Sequence, residues 1–178
     1  MTLYKVLDKD GCSVHGGNAQ WSLPHGEQPG EWMPPIDDLK MCESGYHLVE
    51  ADSLSQWLVA NCRIFEAESG GGRETKPLDG KHCCHSARLP REMAWNDRIA
   101  RLFACDCAER ALTHDTGPDQ RSVNAIAVAR KFANGEATDD ELAAARDAAW
   151  AAACAAARDA EVKWQGHRIE MYLCGEIG

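Results

Sequence analysis

Apolar and polar residues alternate in short runs over the first half of the chain, a pattern typical of strands joined by turns. Leu3–Leu7 predicts a strand that ends at the hairpin-turn sequence Asp8–Gly11, and a second short strand at Cys12–Val14 is expected to pair back on it. The glycine-rich stretch Ser69–Arg73 is expected to be a flexible turn or loop. Further predicted elements are strands at Tyr46–Val49, Arg63–Glu68 and Lys81–Arg88, and a short helix at Leu54–Leu58 with Asp52 or Ser53 as its N-cap.

Beyond Pro90 the apolar spacing changes to the period of an α-helix. The pattern predicts three helices joined by short loops, which favours antiparallel neighbours in a helical bundle. The predicted helices run from Glu92 to a point before Gly117–Pro118, from Asp119 to Phe132, and from Thr138 onward, with Glu141 completing a capping box.

Alanine dominates the third predicted helix. Because alanine is the best helix former, this stretch predicts one helix of roughly 30 residues, about 45 Å long. Its small-residue face is expected to pack against the first two helices, and its charged face is where we expect a partner. The small face consists of Leu142, Ala145, Ala149, Ala152 and Ala156, and the charged face carries Asp147, Arg158 and Glu161.

Together these patterns predict an α+β fold. A small, mostly antiparallel sheet domain would be followed by a three-helix bundle that ends in the long alanine-rich helix. The predicted domains are residues 1–88 and residues 89–178, because the spacing of apolar residues changes between them.

Charge and cysteine content narrow the classes of function. The formal net charge of −9 disfavours direct binding to nucleic-acid phosphates and suits a partner with a basic surface. No apolar run is long enough to span a bilayer, and the N-terminus lacks the pattern of a signal peptide. We therefore expect a cytoplasmic protein that does not bind membranes, with its nine cysteines reduced.

His82–Cys83–Cys84–His85 is the one obvious cluster of metal-ligand residue types. Neighbouring side chains of a strand point to opposite faces, so these four cannot together bind one ion. At most two of them could join distant ligands such as Cys42 or His47. We predict no metal site, with these four residues as the weak candidates.

Sequence motifs for catalysis are also missing. The chain has no GxxxxGK or GxGxxG loop, no GxSxG elbow and no HExxH helix. We therefore expect no cofactor and no catalytic residue.

Two stretches of the chain carry family resemblances. The first 70 residues or so resemble a domain of unknown function found in bacteriophage and prophage proteins. The second half is similar to the helical domain of predicted immunity proteins. The first resemblance is carried by Leu3–Val6, Gly11, His15–Gly17, Trp21–Pro24, Gly45–Leu48 and Phe65–Glu68, and the second by Leu102–Ala104, Cys107–Arg110, Arg121, Ala125–Ile126 and the alanine-rich helix.

A third resemblance concerns the order of elements in the first half. A strand bearing an aromatic residue, a Gly-Tyr-His strand leading into a short helix, and a later acidic strand are similar to the layout of ADP-ribosyltransferase-like folds. This resemblance implies that Tyr4 and His47 hold NAD and that Glu66 and Glu68 orient the nucleophile.

We predict an acidic, non-enzymatic binding protein of phage or mobile-element origin. It would inhibit or neutralise a protein or nucleoprotein with a basic surface in the host cytoplasm, as anti-CRISPR, other anti-defence or immunity proteins do. The alternatives are an NAD-using ADP-ribosyltransferase-like enzyme and a structural phage protein. The residues predicted to contact the partner are Asp139, Asp140, Asp147, Trp150, Arg158 and Glu161.

Overall fold

The computed structural model describes residues 1–74, 78–113, 120–143 and 158–177. Strands precede the longer helices along the chain, and residues 139–143 are also helical. The elements are β1 (Leu3–Leu7), β2 (Tyr46–Glu50), α1 (Ala51–Leu54), a 3-10 turn (Ser55–Trp57), β3 (Arg63–Glu74), β4 (Lys81–Glu92), α2 (Asp97–Leu112), α3 (Gln120–Ala133) and α4 (Arg158–Leu173).

The four strands form a closed antiparallel barrel in the order β1-β2-β4-β3. All four of these strands begin at the predicted residue, and β2, β3 and β4 end later than predicted. Because side chains alternate between the two faces of a strand, Leu3, Lys5 and Leu7 share one face of β1. Leu3 and Leu7 belong to the barrel core, which therefore places Lys5 on the interior face. The core also contains Trp21, Met33, Tyr46, Leu48, Phe65, Ala67, Cys84, Ala87 and Leu89.

Within the closed barrel, the pairing between β1 and β2 is short. β1 pairs with β3 from Leu3 to Leu7, but with β2 only at Leu3 and Tyr4. Beyond Tyr4 the two strands are not paired, and Lys5 Nζ donates a hydrogen bond of 3.1 Å to the His47 carbonyl of β2. We call this unpaired region the β1–β2 gap.

The prediction of a loop at Ser69–Arg73 is wrong, because these residues lie within β3. The register between β3 and β4 shifts between Gly70 and Glu74, as at a bulge, and glycine suits that backbone. A Cβ atom on Gly70 would lie 2.5 Å from the Trp32 ring, so the strand needs glycine where this ring packs. Trp32 itself is 45% exposed.

The short helix after β2 begins earlier than predicted and has a different cap. Its N-cap position is Glu50, with no side-chain cap, so the assignment of the cap to Asp52 or Ser53 is wrong. The Ser53 hydroxyl instead donates a 2.8 Å hydrogen bond to the Asp79 carbonyl. The predicted strand at Cys12–Val14 is likewise reduced to isolated bridges.

The predicted start of the first helix at Glu92 is wrong, because Glu92 ends β4 and α2 begins at Asp97. The other two predicted starts agree with α3, which begins at Gln120, and with the helical residues 139–143. The Asn96 side chain caps α2 by accepting from the Ile99 amide. The capping box also forms, because Glu141 accepts from the Thr138 amide and the Glu141 amide donates to the Thr138 hydroxyl. α2 and α3 are joined by Arg130 of α3, which donates to the carboxylates of Asp106 and Glu109 on α2 at 2.6 Å.

The predicted three-helix bundle ending in a long helix is wrong, although the chain does combine strands and helices as an α+β protein does. α4 has 16 residues, and Val162–Ile177 clusters with the barrel residues rather than with α2 and α3. Gly166 brings α4 close to α1, since a Cβ atom there would lie 2.2 Å from the Ala51 carbonyl oxygen. Much of the predicted 30-residue helix, including Ala145, Ala149, Ala152 and Ala156, falls outside the described residues.

The chain divides into two compact units, which we call the barrel unit (residues 1–95 and 162–177) and the helical unit (the described residues of 96–161). The predicted boundary between residues 88 and 89 lies inside β4. None of the helices in the described ranges is both long and apolar enough to cross a membrane. All eight cysteines of those ranges are free thiols.

Candidate functional site

A cleft of about 560 Å³ lies at the β1–β2 gap, within the barrel unit. This volume is in the range of small-molecule sites. The walls come from separate segments of the chain: β1, the loop at residues 13–19, Trp21, Ile36, the loop before β2, β2 itself, the 3-10 turn and the first residue of β4. The residues that give the cleft its chemistry are Lys5, Trp21, Cys42, His47, Trp57 and Lys81.

Lys5 is held in the cleft by its neighbours. Besides the hydrogen bond to the His47 carbonyl, its Nζ lies 5.0 Å from the centre of the Trp21 ring, a cation–π contact. Trp21 is fixed by an edge-to-face contact with Tyr46 and by donation from its ring nitrogen to the Ser13 hydroxyl. Burial lowers the pKa of Lys5 to about 8, because desolvation penalises the charged ammonium.

Lys81 enters the cleft from the start of β4. Its Nζ donates to Cys42 Sγ at 2.8 Å and lies 4.9 Å from the centre of the Trp57 ring. Trp57 also meets the edge of the His15 ring, and its carbonyl oxygen is 2.8 Å from His15 Nε2. The second cation of the cleft therefore lies beside an aromatic ring, as Lys5 does.

His47 is neutral in this environment. Its Nε2 accepts a 2.9 Å hydrogen bond from the Cys42 amide, so the ring proton is on Nδ1. The pKa of His47 is lowered first by desolvation and then by the charges of Lys5 and Lys81. Both ammonium groups thus act on the same imidazole, which places two positive charges around one point of the cleft.

The charge of the cleft is not balanced by ion pairs. Across the ranges that the structure describes, neither Lys5 nor Lys81 has a carboxylate within ion-pair distance, although Glu43 lines the same cleft. Elsewhere on the barrel, arginines pair with glutamates across β3 and β4. The cleft is therefore a cationic site in an acidic protein.

The structure does not gather the four residues implied by the ADP-ribosyltransferase resemblance. Tyr4 and His47 line the cleft, but Tyr4 is only 2% exposed, and burial and nearby Glu170 raise its pKa to about 12. Glu66 and Glu68 do not line the cleft, and each is paired with an arginine of β4.

The four weak metal candidates separate on β4 as strand geometry requires. His82 contacts Glu50 at 2.8 Å, and Cys83 donates to the Ser44 carbonyl. Cys84 lies in the barrel core, and His85 Nδ1 is 2.9 Å from the Ile36 carbonyl oxygen. Within the described residues no group of three or more metal-ligand side chains is close enough to bind an ion.

The structure describes the side chains of three of the six predicted partner-binding residues, Asp139, Asp140 and Glu161. Asp139 and Asp140 are exposed at the start of the helical residues 139–143. Glu161 pairs with Arg110, with 2.6 Å between Oε2 and Nε. Asp147, Trp150 and the side chain of Arg158 lie outside the described residues.

Sequence reasoning missed the two lysines of the cleft. The signal for Lys5 was present, because a charged residue between Leu3 and Leu7 occupies the apolar phase of a strand with period two. A charge on the interior face of a strand costs free energy unless it is paired and hydrogen-bonded, so its presence indicates a candidate functional site. Lys81 gives no comparable signal, since its role depends on contacts with distant Cys42 and Trp57.

A scan against protein-family models and searches of curated proteins and of solved structures find no match to this chain.

Proposed function

We propose that the barrel unit binds a small organic anion, a phosphate ester or a carboxylate with a planar apolar body, in the cleft at the β1–β2 gap. The observation that carries this proposal is the pair of lysines, Lys5 and Lys81, which lack carboxylate partners in the described part of the chain. An anion beside them would supply the opposite charge that the two ammonium groups lack, and it would offset the desolvation of Lys5.

The walls of the cleft suit the rest of such a ligand. Trp57 is half-buried and lines the cleft beside Lys81, and aromatic side chains bind planar groups well. Small-molecule sites combine apolar walls with a few convergent polar groups, and Val6, Val14 and Val49 supply apolar lining here. Lysine also binds phosphate as a point charge.

We expect phenyl phosphate to bind with measurable heat in isothermal titration calorimetry, and benzoate to bind more weakly. Lys81→Met should weaken binding by about tenfold or more, because a charge-assisted hydrogen bond is lost. Lys5→Met should weaken it below about pH 8 and have less effect above, where the Lys5 amine of the free protein is neutral.

Lys9→Met is the matched control, because Lys9 is an exposed lysine that pairs with Asp10 and does not line the cleft. It removes the same charge from the protein, so a general electrostatic effect would appear in it too. Absence of binding by phenyl phosphate and benzoate at millimolar concentration, or equal losses in all three variants, would contradict the proposal.

We also propose that the helical unit binds a macromolecular partner with a basic surface and inhibits or neutralises it, as an anti-defence or immunity protein would. Asp139 and Asp140 support this second candidate, because both are exposed and neither forms an ion pair with another described residue. The net charge of −9 points in the same direction.

Affinity capture from host lysate at low and at high salt tests the second candidate. We expect a partner that is retained at low salt and lost at high salt, with at least several-fold less retained by the double variant Asp139→Asn, Asp140→Asn. Glu136→Gln, also exposed, is the control for loss of a single charge near this helix. Failure to retain any salt-sensitive protein would count against it.

A further inference from the structure

We propose that Lys5 forms a reversible imine with a carbonyl group of the bound anion. The ligand class is then a small organic anion that also carries an aldehyde or ketone. This inference rests on the proposed function, because the anionic group held at Lys81 brings the carbonyl to the Lys5 amine.

The position of Lys5 is the first argument. It occupies an interior position of β1 beside the core residues Leu3 and Leu7, yet its Nζ lies in a cleft large enough for a ligand. Two contacts hold this Nζ, the His47 carbonyl and the face of the Trp21 ring. Neither is an anion, so nothing among these contacts fixes the amine in its charged form as a carboxylate would.

The second argument is the electrostatic surroundings of the amine. Lys81 is a second cation of the same cleft, and His47 is neutral because desolvation and then the charges of Lys5 and Lys81 lower its pKa. The other titratable groups that line the cleft are Tyr4, His15, Cys42, Glu43 and Tyr46.

The third argument concerns the fraction of amine that carries a lone pair. With the pKa of Lys5 lowered to about 8, about a quarter of the Lys5 side chains are neutral at about pH 7.5. An ordinary lysine is neutral in only about one molecule in a thousand at that pH. Lys5 is therefore far better prepared to attack a carbonyl than the exposed lysines of the same chain.

The reaction is a condensation without oxidant or reductant. The nitrogen lone pair of Lys5 attacks the carbonyl carbon, a C–N bond forms, and the carbonyl oxygen takes a proton to give a carbinolamine. Loss of that oxygen as water, with a proton from the nitrogen, leaves the C=N bond of the imine. Water reverses both steps, so the ligand is captured and released without other change.

The test uses the full chain and the three positional isomers of formylphenyl phosphate, which place the aldehyde at increasing distances from the phosphate. Each is incubated with the protein and reduced with cyanoborohydride, and the modified lysine is identified by peptide mass spectrometry. We expect at least one isomer to label Lys5 at least about tenfold more than Lys9 or Lys40, with labelling that rises from pH 6 to pH 8.

Variants and a non-covalent analogue separate the outcomes. Lys81→Met should lower the labelling of Lys5 at a fixed probe concentration, and excess phenyl phosphate should suppress it. If phenyl phosphate binds but Lys5 is labelled no more than Lys9, the imine is excluded and the proposed anion site stands. If phenyl phosphate does not bind, both proposals fail. If Lys5 is labelled but neither Lys81→Met nor phenyl phosphate lowers the labelling, the reaction is unrelated to the anion site and the inference is overturned.

Discussion

Gly166→Ala should destabilise the barrel unit by about 1–3 kcal/mol, although alanine is the better helix former. The Cβ atom of an alanine at position 166 would lie 2.2 Å from the Ala51 carbonyl oxygen and 2.6 Å from the Asp52 Cα. Both neighbours are backbone atoms, so no side-chain rotation relieves the overlap. α4 or α1 must shift, and the packing between them is lost.

Chemical denaturation by urea, followed by tryptophan fluorescence, measures this effect. Lys163→Ala is the control, because Lys163 is exposed on the same helix and its truncation should change stability by less than about 0.5 kcal/mol. If Gly166→Ala instead raised stability by about 1 kcal/mol, as at an exposed helix position, the close approach of α4 to α1 would be disproved.

Lys5→Met should stabilise the protein at neutral pH, by on the order of 1–2 kcal/mol after allowance for the partial contact of Lys5 with water. In the wild-type protein, the folded pKa of Lys5 is about 8 and the unfolded pKa is near the ordinary 10.5. Below pH 8 the amine is charged in both states, and the folded state bears the full cost of desolvation. Between pH 8 and pH 10.5 folding releases a proton, so wild-type stability rises with pH relative to the variant.

The advantage of Lys5→Met should therefore shrink as pH rises from 8 to 10.5. The unfolding free energies of both proteins across this range test the prediction. Removing Lys5 also changes the pKa of His47, but His47 is neutral in both proteins above pH 8 and does not contribute to the difference there. Lys9→Met is the control for loss of a lysine charge at an exposed position away from the cleft. A Lys5→Met protein that is less stable than wild type at neutral pH, or an advantage that does not change with pH, would contradict the assignment.

Local sequence signals predicted the elements that depend on local chemistry. The strand at Leu3–Leu7 and the capping box of Thr138 and Glu141 both require only residues a few positions apart. The glycines of β3 were misread as a loop because their low strand propensity is overridden by pairing with β4 and by packing of Trp32. The bundle prediction failed for a related reason, because contacts with the barrel unit decide where Val162–Ile177 packs.

The candidate site was less predictable than the fold, because it is assembled from distant parts of the chain. Lys5 reaches the carbonyl of His47, 42 residues away, and Lys81 reaches the sulfur of Cys42, 39 residues away. No spacing motif records such contacts, which arise only when the barrel closes. Of the two lysines, Lys5 did have a local sequence signal, because it is a charged residue between Leu3 and Leu7 on the same face of the strand.

The β1–β2 gap places any ligand of the cleft next to backbone that is not paired in the sheet. Tyr4 is the last residue of β1 that pairs with β2, and the next two residues of β1, Lys5 and Val6, line the cleft. Binding in the cleft and folding of the barrel unit are linked, because a ligand that binds only the folded protein stabilises it. Saturating ligand should accordingly slow the exchange of backbone amide hydrogens in β1 and β2 more than in β3 and β4, where the ladder is already long.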